Sequence, residues 1–158
     1  MKKLLGAAAV CALTVGLVAA PGASAVKAPK VVFGTVSVNV TPNPIPSTAT
    51  TVTANGNVAS NSGCRKDRTV HFAWVSGTTV GPEVGTAETG PNGNYTAVLP
   101  RPTDTPPATV ALQATVDQTF RKVGSKKKGK KTKKGRQFNC QQITGLSGPI
   151  TVEAPPAP

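Results

Sequence analysis

The sequence is poor in the residues that most catalytic and metal-binding sites need. It has one histidine, six acidic residues and three cysteines in 158 residues. The acidic residues are scattered, so nothing marks two of them as a general acid and base. His71 has no accompanying GxSxG nucleophile motif, and the cysteines lack a metal-binding spacing such as CxxC. We therefore expect a protein that is not an enzyme, with no catalytic residues, no metal and no cofactor.

Leucine is also scarce once the first 25 residues are set aside. Only Leu99, Leu112 and Leu146 remain, whereas valine, threonine, glycine and proline are frequent. This composition disfavours helices and favours strands. The remaining length suits one domain with two packed layers.

The first 25 residues have the order of a bacterial-type secretory signal peptide. Lys2 and Lys3 precede an apolar run over 4–20, and small residues lead to a cleavage site after Ala25. The run is too short and too rich in alanine and glycine for a membrane span of about 20 strongly apolar residues. We expect residues 1–25, with Cys11, to be removed, leaving no transmembrane segment. The protein is then secreted, extracellular or associated with the cell envelope.

Signal removal leaves two cysteines, Cys64 and Cys140. Two cysteines in an exported chain predict one disulfide. In the loop-entropy model a bridge closing about 77 residues stabilises the fold by at most about 4.5 kcal/mol. The alternative is a pair of unpaired, buried thiols.

Apolar and polar residues alternate over 36–40, 70–74 and 110–116. A period of two is typical of strands with one buried face, which places His71 on the exposed face of its strand. With weaker strands elsewhere, about seven short strands predict an all-β, antiparallel β-sandwich over 26–152. The weaker strands are 50–58, 84–89, 94–99 and 150–152, and the predicted core residues are Val36, Val38, Val40, Val70, Phe72, Trp74, Val110, Leu112, Ala114 and Val116.

Local turn residues complete this outline. Within 85–96 the run Pro91-Asn92-Gly93 suits a turn with a residue at positive φ, and a hairpin is predicted there. Residues 145–148, Gly-Leu-Ser-Gly, are interpreted as a turn. The Pro-rich tail at 153–158 is expected to be extended and solvated.

Short motifs in the hairpin and around the cysteines resemble a known family. Gly85-Thr86, Thr89 and Asn92-Gly93-x-Tyr95 are similar to immunoglobulin-like sandwich modules of the carboxypeptidase-regulatory, or transthyretin-like, type. Similar secreted actinobacterial modules carry a cysteine shortly before an Arg-x-Val strand, as Cys64 precedes Arg68-Thr69-Val70. Their second cysteine lies near the last strand, as Cys140 does. Over about 31–152, the resemblance implies an immunoglobulin-like, extracellular, non-catalytic module.

The most unusual segment is 121–136, in which ten of 16 residues are basic and none is acidic. After signal removal the rest of the chain is electrically balanced, so this segment carries the whole net charge. It cannot bury apolar surface, and its charges repel one another. We expect a long, solvated, mobile loop at the tip of a hairpin, with Phe120 before it and Phe138 after it. Its basic residues are Arg121, Lys122, Lys126, Lys127, Lys128, Lys130, Lys131, Lys133, Lys134 and Arg136.

These ten residues form the predicted polyanion-binding site, because a basic loop attracts polyanions by counterion release. The candidate partners are an anionic cell-wall polymer, an anionic lipid surface or an acidic polysaccharide. No aromatic residue interleaves the lysines, so no sequence-specific nucleic-acid binding is expected. Residues 124–131 fit all but the last position of the phosphate-binding loop pattern, but Lys131 replaces its serine or threonine.

A second hypothesis stays open. The protein can be a structural or protein-interaction module whose basic loop only aids solubility, since a domain near zero net charge tends to associate. The sequence does not predict the oligomeric state.

Overall fold

The computed structural model describes residues 28–103, 108–124, 127–128, 131–132 and 135–154. The predicted signal peptide and the last four residues of the tail lie outside the described residues. The described ranges contain strands, turns and irregular segments but no helix, and thus no helix suited to crossing a membrane.

Thirteen strands are present in these ranges. They are β1 (Lys30–Val32), β2 (Thr35–Thr41), β3 (Thr51–Ala59), β4 (Thr69–Ser76), β5 (Thr79–Glu88), β6 (Asn94–Pro100), β7 (Ala108–Val116), β8 (Thr119–Val123), β9 (Lys127–Lys128), β10 (Lys131–Thr132), β11 (Arg136–Cys140), β12 (Ile143–Leu146) and β13 (Ile150–Val152).

Two antiparallel sheets form the sandwich. One has the order β2-β3-β6, and the other has the order β12-β7-β4-β5 with β13 also paired to β7. Their inner faces share one hydrophobic core. The predicted all-β antiparallel sandwich with one disulfide is confirmed.

The core follows the alternation read from the sequence. Nine of the ten predicted core residues are buried, and Val40 lies half-buried at the margin of the core. Fully burying such a side chain contributes about 1.5–3 kcal/mol. Trp74 is buried as expected, and its indole N–H donates to the Pro100 carbonyl at 3.2 Å.

The hairpin predicted over 85–96 is wrong. β5 pairs with β4, whereas β6 pairs with β3 in the other sheet. The positive-φ turn is present, with Gly93 at φ 86°, and the Gly93 carbonyl accepts from Val58 of β3 at 2.9 Å. The turn therefore takes the chain from β5 in one sheet to β6 in the other, where β6 pairs with β3.

The turn interpreted at 145–148 also needs correction. Gly145 and Leu146 belong to β12, which pairs with β7. The strand is interrupted only after Leu146, where the Ser147 hydroxyl accepts from the Leu112 backbone N–H at 2.9 Å. Pairing with β7 resumes at Ile150 in β13, so the local sequence resembles a turn although the chain stays at one sheet edge.

Candidate polyanion-binding arm

A third sheet carries the basic segment. β8 and β11 pair antiparallel, and β1 adds to β11 in parallel, giving the order β1-β11-β8. We call residues 119–140 the basic arm. The arm is inserted between β7 and β12, which pair with each other.

The arm continues the β7–β12 pairing without a change of register. In the sandwich, Val116 of β7 pairs with Ile143 of β12. In the arm, Thr119 pairs with Cys140 at the start of β8, and Val123 pairs with Arg136 at its end. Further out, Lys128 pairs with Lys131 between β9 and β10. The three described strand pairs, β7 with β12, β8 with β11 and β9 with β10, therefore share one register.

The structure describes six of the ten predicted polyanion-binding residues, and all six belong to strands of this arm. Arg121 and Lys122 lie in β8 and Arg136 lies in β11, so strand pairing extends into the segment expected to be a loop. The backbones of Lys127, Lys128 and Lys131 lie in β9 and β10. The predicted contacts Lys126, Lys130, Lys133 and Lys134 lie outside the described residues.

A disulfide fastens the base of the arm to the loop before β4. Cys64 and Cys140 are bonded, with their Cα atoms 5.5 Å apart, which confirms the predicted pair. Val32 and Phe138 pack against the two cysteines in a small apolar cluster separate from the main core. The arm therefore has its own buried foundation.

Arg68 braces the same region from inside. It is only 4% exposed, and its guanidinium donates to the carbonyls of Cys64, at 2.9 Å, and of Asp117. Burial lowers the pKa of this group, with the positive charge of Arg121 acting in the same direction. In the sequence Arg68 stands out only as part of the Arg-x-Val motif, because its burial depends on contacts with residues far away in the chain.

A second arginine contact fixes the first strand of the arm. Arg121 donates to the Lys66 carbonyl, and its Nη2 lies 3.1 Å from Oδ2 of Asp67. The hydrogen bond from Arg121 lowers the pKa of Asp67, and the positive charge of Lys66 adds to the shift. Arg121 is therefore engaged in holding the arm, which makes it a poorer candidate for a polyanion contact than Lys122.

The two faces of the third sheet differ in character. Phe138 and Cys140 face the disulfide cluster, so the alternate row, Val31, Asn139 and Phe120, faces outward across the three strands. Phe120 is 68% exposed and Val31 is 49% exposed, and Phe33, two residues beyond Val31, is 76% exposed. Three large apolar side chains are thus exposed, two of them in this row of the third sheet and one in the link that follows β1.

The sandwich has two further features away from the arm, a polar cluster around His71 and a cavity beside Trp74. Nδ1 of His71 lies 2.8 Å from Glu83 and Nε2 lies 3.2 Å from Asp117, a cluster that sequence reasoning missed because its members are on three strands or their ends. The carboxylates occupy opposite sides of the ring and do not converge on one point.

A cavity of about 310 Å³ lies beside Trp74, Pro82 and Arg101. In the described part of the chain, no group of histidine, cysteine and acidic side chains is arranged to hold a metal ion.

No protein-family model, curated protein or solved structure matches the chain. The relation to immunoglobulin-like modules therefore remains a prediction from short motifs.

Proposed function

We propose that this protein is an exported, non-catalytic β-sandwich module that binds anionic polymers or surfaces of the cell envelope through its basic arm. The observation that carries the proposal is the position of the charge. Ten basic residues and no acidic one fall within 121–136. The arm that contains them follows the register of the β7–β12 pair, and a disulfide and an arginine contact hold its base.

Attachment of the arm to the sandwich favours polyanion binding, because it reduces the conformational freedom that the arm would lose on binding. The disulfide at Cys140 and the Arg121–Asp67 contact hold one end of the arm against the sandwich. Attraction between the lysines and a polyanion depends on counterion release and on screening by salt. Affinity should therefore fall steeply as the salt concentration rises.

The experiment is retention of the purified protein on heparin and on isolated cell wall across a salt gradient. Two variants accompany the wild type. In the arm-shortened variant Asn-Gly replaces residues 124–135, because Val123 pairs with Arg136 and a two-residue Asn-Gly turn suits a hairpin at such a pair. In the charge-neutral variant the seven lysines over 126–134 become glutamine at unchanged length.

We expect both variants to leave the column at much lower salt than the wild type and to melt within a few degrees of it, because neither change touches the core. Equal retention of all three proteins would refute the proposal. The arm would then be a solubility device on a structural or protein-interaction module.

A further inference from the structure

The outer face of the third sheet combines exposed apolar side chains with the start of the lysine run. Val31 and Phe120 lie in one row across the sheet, on either side of Asn139. Strands are about 4.8 Å apart, so the two positions are about 10 Å apart. Lys122 follows Phe120 by two residues and therefore lies on the same face. We call Val31, Phe33 and Phe120 the apolar base of the arm.

Two exposed apolar side chains in one row of this sheet, with a third two residues along the chain, form a candidate interaction surface, because clustered apolar side chains on soluble proteins mark interaction sites more often than scattered ones do. The fold does not need these side chains outside. Val32 and Phe138, which lie on the other face of the same sheet, already pack in the cluster around the disulfide. Removal of the apolar base should therefore cost little stability.

The chemistry around the patch distinguishes between possible partners. Eight of the ten basic residues of 121–136 are lysines and two are arginines. Protein–protein interfaces are depleted in lysine and enriched in arginine, tyrosine and tryptophan. Phenylalanine beside lysine is instead the combination of surfaces that lie in a membrane interface, where apolar side chains enter the headgroup boundary and lysines reach anionic headgroups.

We propose that the apolar base and the basic arm together dock the protein on an anionic lipid bilayer, with Phe33 and Phe120 inserted at the headgroup boundary and the lysines on the headgroups. This inference rests on the proposed polyanion binding and specifies its partner. It predicts two components of membrane binding. Salt should remove the electrostatic attraction between lysines and headgroups, but it should not remove the insertion of the apolar side chains. A soluble or cell-wall polyanion would show only the first.

The test is sedimentation of the oxidised protein with vesicles of phosphatidylglycerol and phosphatidylcholine, and with phosphatidylcholine alone, beside the heparin column. The variant is F33T/F120T. The matched control is V98T, because Val98 is 70% exposed but lies on β6 in a different sheet. Threonine keeps strand propensity at each position, and melting temperatures verify that the variants fold.

We expect the wild type to bind anionic vesicles, and to stay partly bound at a salt concentration that releases it from heparin. F33T/F120T should partition at least tenfold less onto the vesicles, whereas V98T should behave as the wild type. All three proteins should leave heparin at the same salt.

The outcomes separate the two proposals. If F33T/F120T binds vesicles as the wild type does, or if the wild type binds heparin but not vesicles, membrane docking is wrong and polyanion binding stands. If the wild type binds neither, both fall. Should the double variant fail to fold, the wild type alone decides, because complete release from vesicles at the salt that elutes heparin also excludes apolar insertion.

Discussion

Tyr95 is the only tyrosine of the chain, and it lies in the core beside Phe72 with ring centroids 5.7 Å apart. Its hydroxyl donates to the Ser37 carbonyl of β2, so a strand of the same sheet accepts the bond across β3. Burial raises the pKa of this phenol to about 12. The neutral form is therefore the one that the fold stabilises.

This residue provides a pH-dependent test of the packing. An unfolded tyrosine titrates near pH 10, so the contribution of Tyr95 is fully present below about pH 10 and is lost as the pH rises through about 12, by about 2–3 kcal/mol in total. Tyrosinate absorbance reports this single residue. We expect a midpoint near 12 in the native protein and near 10 in concentrated urea.

The matched variant is Tyr95→Phe, which keeps the ring but removes the ionisable hydroxyl. It should lose about 1 kcal/mol at neutral pH, the typical contribution of one hydrogen bond. It should also show a shallower loss of stability between pH 10 and 12. A native midpoint near 10 would mean that the hydroxyl reaches water.

At the scale of elements, the two sheets approach each other closely where β12 passes β2. A side-chain carbon at Gly145 would overlap the backbone oxygen of Val36, far inside van der Waals contact. The glycine that led to a turn interpretation is therefore needed for close approach of two strands. The same residue type also serves at Gly93, where it supplies a positive φ instead.

We expect Gly145→Ala to destabilise the fold by about 1–3 kcal/mol, because backbone of either β2 or β12 must move to admit the methyl group. Gly148→Ala is the matched control, since nothing lies within 4 Å of its added carbon, and it should change stability by less than about 0.5 kcal/mol. Urea unfolding of the two variants measures the difference. Equal effects would place β12 farther from β2 than the structure does.

The elements differ in how far the sequence predicts them. Strands such as β4 and β7 alternate between apolar and polar residues because one face is buried, and this pattern is local. The partner of β6 depends on contacts with β3 that no local pattern encodes. β1 also escaped prediction, because its buried residue Val32 packs in a small cluster around the disulfide and not in the main core.

At the scale of the whole molecule, one disulfide cross-links the sandwich to the basic arm. Cys64 and Cys140 are separated by 76 positions, and Arg68 and Arg121 add hydrogen bonds to the same loop. The pairing and the charged run could be predicted from the sequence. The two arginine braces and the exposed apolar base could not, because they depend on which faces of β1 and β8 meet the loop.

We expect the variant C64S/C140S to lose about 2–4 kcal/mol of unfolding free energy, as removal of a long-range disulfide typically does. Urea unfolding with and without reductant measures it. Reductant should lower the midpoint of the wild type to that of the variant and leave the variant unchanged. A variant midpoint equal to that of the oxidised wild type would mean that the apolar cluster and the arginines hold the arm by themselves.

The register shared by the described strand pairs of the arm and the sandwich has a consequence for how this protein can vary. If β8 and β11 were both lengthened or shortened by the same number of residues at the end far from the sandwich, every residue nearer the sandwich would keep its present face. One extra residue on β8 before Phe120 would turn Phe120 toward the disulfide and Arg121 away from Asp67. Related chains should therefore differ in arm length by matched increments, with the spacing from Phe120 and Cys140 to the sandwich kept constant.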